Sequence, residues 1–296
     1  MLLPALCGAA LELGVARPVS ASVIGDDRRV SAVSADYPHA SIGSLTDLDS
    51  GALCTASVVA ADLVLTEAHC ALRAPVPADC RWPRPESGCD PQRLVLRDLR
   101  FVAGDDHRLS TEQRLQQSLR IVGVVAHGAT YRSATPADDG AYFAQRRDDW
   151  ALLRLSAPLD PARHPPLAIA PPGYAPRNGQ ALRMPGYSGD RYRADGDPSA
   201  DTHCQLQPVP LRGAEQLIGH DCDSTAGASG SPLLVADASG RWIVIGLHSD
   251  GPDPRHDRHG RLNLGTPASA FWPDCARWVS TTERTAGQPR ADTSSR

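Results

Sequence analysis

The chain contains no lysine: all 30 of its basic residues are arginine. That absence excludes a lysine Schiff base and the phosphate-binding lysine of a P-loop. Glutamate is scarce, 6 of the 34 acidic residues. The net charge of −4 leaves no basic footprint for nucleic acid. No long apolar run is present. Residues 2–16 are mostly apolar, but they are too few, and interrupted by Glu12, for a membrane span. No paired CxxC spacing suggests structural zinc. Aromatic residues are only 5% of the chain, whereas proline (26) and glycine (25) are plentiful, as suits many short strands joined by turns.

At 296 residues the chain can bury a full core, as one large or two small domains. Residues 1–21 are expected to be a signal peptide or proregion that leads the protein to a secreted or periplasmic location. Short apolar runs recur between turn signals at Ala56–Leu65, Leu94–Val102, Leu119–Val125, Trp150–Leu155, Leu182–Met184, Pro232–Val235 and Trp242–Leu247. Their lengths and Val/Ile/Leu content are those of strands. Helical periodicity is confined to Thr111–Leu119 and Ala268–Val279. The Pro-rich segment Ser156–Pro172 reads as a linker between two β-rich halves, 22–158 and 159–281. Residues 282–296 are polar and are expected to form a disordered tail.

Eight cysteines are present. A Cys54–Cys70 bridge would fasten the loop that ends at His69, Cys204–Cys222 would brace the strand entering the Ser229 loop, and Cys80–Cys89 would clip a Pro-rich loop. Each would contribute about 3 kcal/mol by constraining the unfolded chain, and each requires an oxidising compartment. Cys7 would leave with the signal, and Cys275 has no evident partner.

Three segments carry chemistry: Thr66-Glu67-Ala68-His69-Cys70, Asp149-Trp150-Ala151-Leu152-Leu153, and Thr225-Ala226-Gly227-Ala228-Ser229-Gly230-Ser231-Pro232. Together they supply a base, an acid and a nucleophile. A serine hydroxyl is a weak nucleophile until a base takes its proton. A histidine can do so, and a buried carboxylate fixes its tautomer. Ser229 would attack a carbonyl, His69 would relay the proton and Asp149 would orient His69. The N–H groups of Gly227 and Ser229 would form the oxyanion hole. Asp148 is the neighbouring alternative to Asp149. No metal or other cofactor is required, and the acidic pair Asp138-Asp139 reads as a solvated turn.

These segments resemble the trypsin/chymotrypsin superfamily, and within it the bacterial V8-like, or glutamyl endopeptidase, branch. Ser22–Arg28 (SVIGDDR) is similar to the mature N-terminus of that branch, and Pro185–Asp190 to its Gly-Tyr-Pro-Gly-Asp turn. The resemblance spans residues 22–281. It implies an all-β, chymotrypsin-like double β-barrel of two six-stranded barrels with a C-terminal helix. It also implies a monomeric, secreted endopeptidase that acts on protein or peptide substrates without a cofactor. Ala228 stands where animal trypsins carry the aspartate that pairs with a freed N-terminus, so that activation switch is unavailable. Glu67 replaces a small residue, either as a surface group or as one that alters the surroundings of His69.

The pocket is open to two readings. Asp223, six residues before Ser229, stands where trypsin-like enzymes bind Arg or Lys. His248, with Ser224 and Ser249, stands where V8-like enzymes bind an acidic side chain. The remaining histidines, His220 among them, are expected to face solvent. An alternative to catalysis is a silent homologue that binds a peptide or protein in the same cleft. An esterase is disfavoured because the serine segment lacks the G-x-S-x-G elbow.

Overall fold

A computed structural model describes residues 23–33, 35–74, 94–105, 109–129, 139–195, 198–210, 213–250 and 262–286. The expected signal segment, Cys7, the Cys80–Cys89 clip and residues 287–296 lie outside them. The chain opens with strand β1 (Arg29–Ser31). Then come β2 (Ile42–Asp47), β3 (Leu53–Ala60), β4 (Leu63–Thr66), helix α1 (Ala68–Ala71), β5 (Leu72–Arg73), β6 (Val95–Leu96) and β7 (Leu99–Ala103). Helix α2 (Thr111–Gln117), β8 (Leu119–His127), α3 (Asp139–Arg147) and β9 (Ala151–Leu155) complete this half. Strands β2-β3-β4-β9-β8-β7 form a closed antiparallel barrel.

The second half comprises β10 (Ala168–Ile169), β11 (Ala181–Gly186), α4 (Gly189–Asp195), β12 (Ser199–Gln207), β13 (Ile218–His220), β14 (Pro232–Ala236), β15 (Trp242–Asp250), β16 (Asn263–Pro267) and α5 (Ala268–Ala286). Its strands run in the order β12-β11-β14-β15-β16-β13, and β13 pairs back onto β12 to close a second six-stranded barrel. The fold is the chymotrypsin-like double barrel that the motifs imply.

Strand periodicity explains how the two barrels share a core. Along β4 the four residues Leu63–Thr66 are all buried. Side chains alternate faces along a strand, so Val64 packs inside the first barrel with Leu45, Phe101 and Leu153. Leu63 and Leu65 face the other way and join Leu152, Tyr187, Leu233 and Phe271 in a core spanning both barrels. Each such leucine contributes about 1.5–3 kcal/mol by leaving water. Helix α5 places Phe271 and Cys275 in that shared core. Cys275 is free and buried, and burial pushes its thiol up to about 12.

Several expectations need correction. The C-terminal helix does not stop near Val279 but continues to Ala286, into the segment read as a disordered tail. The supposed linker is docked: β10 pairs in parallel with β15, and the Leu167 N–H donates to the Val58 carbonyl at 2.9 Å. Strand β1, counted with the first half by sequence, pairs with β12 of the second barrel. Helix α2 ends at Gln117, capped by a reciprocal Ser110–Gln113 box, and Leu119 opens β8.

Candidate active site

Pairing of β4 with β9 sets Thr66 opposite Ala151. The register therefore brings the residues just after β4 alongside those just before β9, which are His69 and Asp149. The Asp149 carboxylate grips its partner twice. Oδ1 accepts the His69 backbone N–H at 2.9 Å, and Oδ2 lies 2.9 Å from His69 Nδ1. Asp149 is buried, whereas the His69 ring is partly open, with 35% of its side chain exposed. Burial would raise the Asp149 carboxyl. The His69 ring outweighs it, with help from Arg146, whose Nη1 is 3.9 Å away, and holds the group below its ordinary value. Asp148 instead pairs with Arg147 Nε at 3.0 Å, so Asp149 is the carboxylate on His69.

The Ser229 turn is held from both barrels. The Thr55 N–H of β3 donates to the Ser229 carbonyl at 2.9 Å, and Thr55 Oγ1 donates to the Gly227 carbonyl at 3.0 Å. From β15, His248 accepts the Gly230 N–H and donates its own N–H to the Ser231 carbonyl, both at 2.8 Å. The Cys54–Cys70 disulfide, present as expected, joins α1 to β3, and Cys70 Sγ lies 3.8 Å from the Ser229 carbonyl oxygen. Cys204–Cys222 is also present. Gly227 adopts φ +105°, a conformation that favours glycine. A Cβ there would come within 2.4 Å of the Tyr187 carbonyl oxygen. Among the described residues the Gly227 and Ser229 amides donate to no protein group, whereas the neighbouring Ala228 and Gly230 amides do. The Ser229 hydroxyl donates to the Ser249 carbonyl at 3.4 Å, a long bond and a weak tether.

Glu67 is no surface residue. It is fully buried between β4 and α1, where the Thr266 and Ser249 hydroxyls are its nearby polar neighbours. Its carboxyl lies within 4.8 Å of side-chain atoms of His69 and Asp149. Burial, and then the Asp149 charge, raise its pKa well above the ordinary glutamate value against the pull of Arg146. The neutral acid is the form that this position favours.

The expected pocket residues separate. Asp223 is turned towards the N-terminal segment. Oδ1 accepts the Ile24 N–H and Oδ2 the Arg28 N–H, both at 2.8 Å, and Arg28 Nε lies 3.5 Å away. Both oxygens are thus occupied, which corrects its reading as a pocket carboxylate for basic side chains. Ser224, His248 and Ser249 are buried. Ser249 Oγ accepts Arg146 Nη1 at 3.1 Å.

His220 overturns its reading as solvent-facing: it is fully buried, with Nε2 3.2 Å from His248 Nδ1. The Cys222 N–H donates to His220 Nδ1 at 3.2 Å. His220 therefore carries its proton on Nε2 and donates to His248 Nδ1, which leaves the His248 proton on Nε2. Burial, reinforced by His248, holds His220 well below 6.5 and hence neutral. No local sequence signal marked this burial, which comes from pairing of β13 with β16, where His220 lies opposite Asn263.

Two closed six-stranded barrels, with the His69–Asp149 pair on the first and the Ser229 turn of the second held against it by Thr55, form a chymotrypsin-like architecture. Residues 54–247 match the trypsin-like peptidase domain, and the chain belongs to that family. Among solved structures, a Glu endopeptidase in complex with MPD is 19% identical, with 88% of this chain and 99% of that one covered and a TM-score of 0.61. The protease Anisep from Arthrobacter nicotinovorans is 14% identical, with coverage of 84% and 99% and a TM-score of 0.57. The thermostable serine protease AL20, from an extremophilic microorganism, is 17% identical, with coverage of 81% and 97% and a TM-score of 0.54. At such identities the likeness is one of fold. No curated protein matches the chain. Among the described residues no helix is long and apolar enough to cross a membrane.

Proposed function

We propose that this chain is a secreted serine endopeptidase in which Ser229 attacks the scissile carbonyl, His69 transfers the proton to the leaving amine, and Asp149 holds the imidazole. The observation that carries this reading is the double grip of Asp149 on the His69 ring and backbone, beside a serine turn with two unspent amides. The Asp149 contact to Nδ1 fixes the tautomer that leaves Nε2 as the base. The amides of Gly227 and Ser229 stabilise the oxyanion of the tetrahedral intermediate. The two disulfides support an oxidising compartment.

For the residue preceding the scissile bond, the reading is an acidic side chain. Asp223 is committed to the N-terminal segment and offers no counter-charge to Arg or Lys. His248, whose Nδ1 faces His220, is the residue this reading sets against a substrate carboxylate. Cleavage-site mapping by mass spectrometry on a diverse peptide library, with Ser229→Ala as control, tests both parts. Cuts after Glu or Asp that vanish in the variant are expected. Cuts after Arg would overturn the specificity, and cuts that persist in Ser229→Ala would overturn the mechanism. A wild-type protein that binds peptides without cutting them would favour a silent homologue.

A further inference from the structure

Arg29 is a buried arginine outside the triad, with 2% of its side chain exposed. All five of its guanidinium hydrogens have acceptors. Nε donates to Asp27 Oδ1 at 2.9 Å, and Nη2 donates to Asp27 Oδ2 at 2.9 Å and to Asp190 Oδ2 at 2.7 Å. Nη1 donates to Asp190 Oδ1 at 2.9 Å and to Thr225 Oγ1 at 3.3 Å. The pairing with Asp190 is a two-pronged fork, the strong geometry for guanidinium and carboxylate. The Thr225 hydroxyl in turn donates to Asp190. Arg191 Nη2 reaches Asp27 Oδ2 at 3.0 Å and meets the second negative charge.

This cluster ties three pieces of chain together: β1, the start of α4, and the entry to the Ser229 turn. Gly189, which precedes Asp190, donates its N–H to the Ala226 carbonyl at 2.7 Å. The Ala226 carbonyl and the Gly227 N–H belong to one planar trans peptide, so they point in opposite directions. Holding the carbonyl on Gly189 therefore turns the Gly227 N–H away from Gly189. A flip of that one peptide would remove a donor from the oxyanion hole. Ala228, next in the turn, offers no carboxylate to anchor it.

We infer that Arg29 is a positioning residue for the Gly227 amide. By fixing Asp190 and Thr225 it keeps the Gly189 N–H on the Ala226 carbonyl and so aims the oxyanion donor. The inference rests on the peptidase reading above. It makes docking of β1 a condition of turnover. The clamp also endures acid: burial works against the Asp190 carboxylate, but the Arg29 and Thr225 bonds pull it down to about 2, so it stays ionised through mildly acidic pH.

The test uses Arg29→Gln, Arg29→Lys and Asp190→Asn in the full chain, with Asp190→Asn as the mild variant because 48% of that side chain is exposed. Turnover of a peptide amide is measured beside the affinity for a peptide aldehyde, which forms an oxyanion-like adduct, and for the cleaved product peptide. Arg29→Gln and Asp190→Asn should lower kcat by roughly 10- to 100-fold, a part of the loss seen when an oxyanion donor is removed. KM should stay within about threefold, as for an interaction made only in the transition state. Aldehyde affinity should fall with kcat while product affinity holds, and Arg29→Lys should recover part of the loss. The double variant should be no worse than the poorer single one. Folded Asp190→Asn with wild-type kcat and aldehyde affinity would overturn the inference, as would losses in aldehyde and product affinity of equal size. A wild-type protein that neither cuts peptides nor takes up a fluorophosphonate would sink the peptidase reading itself, and the inference with it.

Discussion

His220 Nε2 sits 3.2 Å from His248 Nδ1, and both rings are buried. The Cys222 amide sets the direction of the proton between them. His220→Ala would leave the His248 tautomer unfixed, and His248→Ala would remove the donor. We expect His248→Ala to cost about 10²-fold in kcat/KM on acidic peptides while a neutral peptide of the same length loses little, because the site then cannot pair the buried carboxylate. His220→Ala should show the same selectivity with a smaller loss. Steady-state kinetics on matched peptides decides the matter.

Asp149→Asn is expected to keep the fold but lower kcat by about 10³- to 10⁴-fold. An amide nitrogen facing His69 Nδ1 would donate where the carboxylate accepts, which forces the ring into the wrong tautomer. Asp148→Asn, which touches Arg147 rather than His69, should retain most of the activity. Turnover of the two variants under one condition separates the carboxylates.

Glu67 predicts a pH dependence of stability. Its pKa is raised in the folded state, so between the ordinary value of 4.5 and the raised one the folded chain holds a proton that the unfolded chain has released. Stability then falls as pH rises through that window. Glu67→Gln removes the titration, and its melting temperature should decline less steeply than that of the wild type as pH rises above the ordinary glutamate value. Parallel melting curves for the two proteins would contradict the assignment of a neutral Glu67.

Gly230 lies at φ +83°, and a Cβ there would come within 2.2 Å of the Thr55 carbonyl oxygen. Gly230→Ala should therefore destabilise by more than about 1 kcal/mol. It should also lower turnover, because the strain falls on the residue that holds the Ser229 carbonyl. Chemical denaturation and fluorophosphonate labelling of the same sample measure both effects.

The three motif segments were legible because each couples a reactive residue to a local turn or strand signal, as in Thr66–Cys70 or Thr225–Pro232. Local patterns also gave the apolar strands and the Ser110-capped helix. Burial that arises from distant pairing was not legible. His220 lies on a three-residue strand with no period to read, and its burial comes from pairing with β12 and β16 and from His248 on β15. Asp223 has the spacing of a pocket residue, but its orientation depends on Ile24 and Arg28, some 200 positions earlier. Glu67 stayed open between a surface group and one that alters the surroundings of His69, because a charged residue type gives no sign of how completely neighbouring strands will cover it. Segment Ser156–Pro172 reads as a linker by composition, yet its backbone amides find partners in both barrels.

Thr55 has a consequence of its own. Through its N–H, its hydroxyl and its carbonyl, this one residue of the first barrel touches Ser229, Gly227, the Tyr187 N–H and Thr66. It also adjoins the cysteine that is bridged to the residue after His69. His69 and Ser229 are therefore tied to the same strand, although they come from different halves of the chain. On the proposed peptidase reading the cleft is a preset jaw, its two sides joined through β3 when the barrels dock rather than when a substrate arrives.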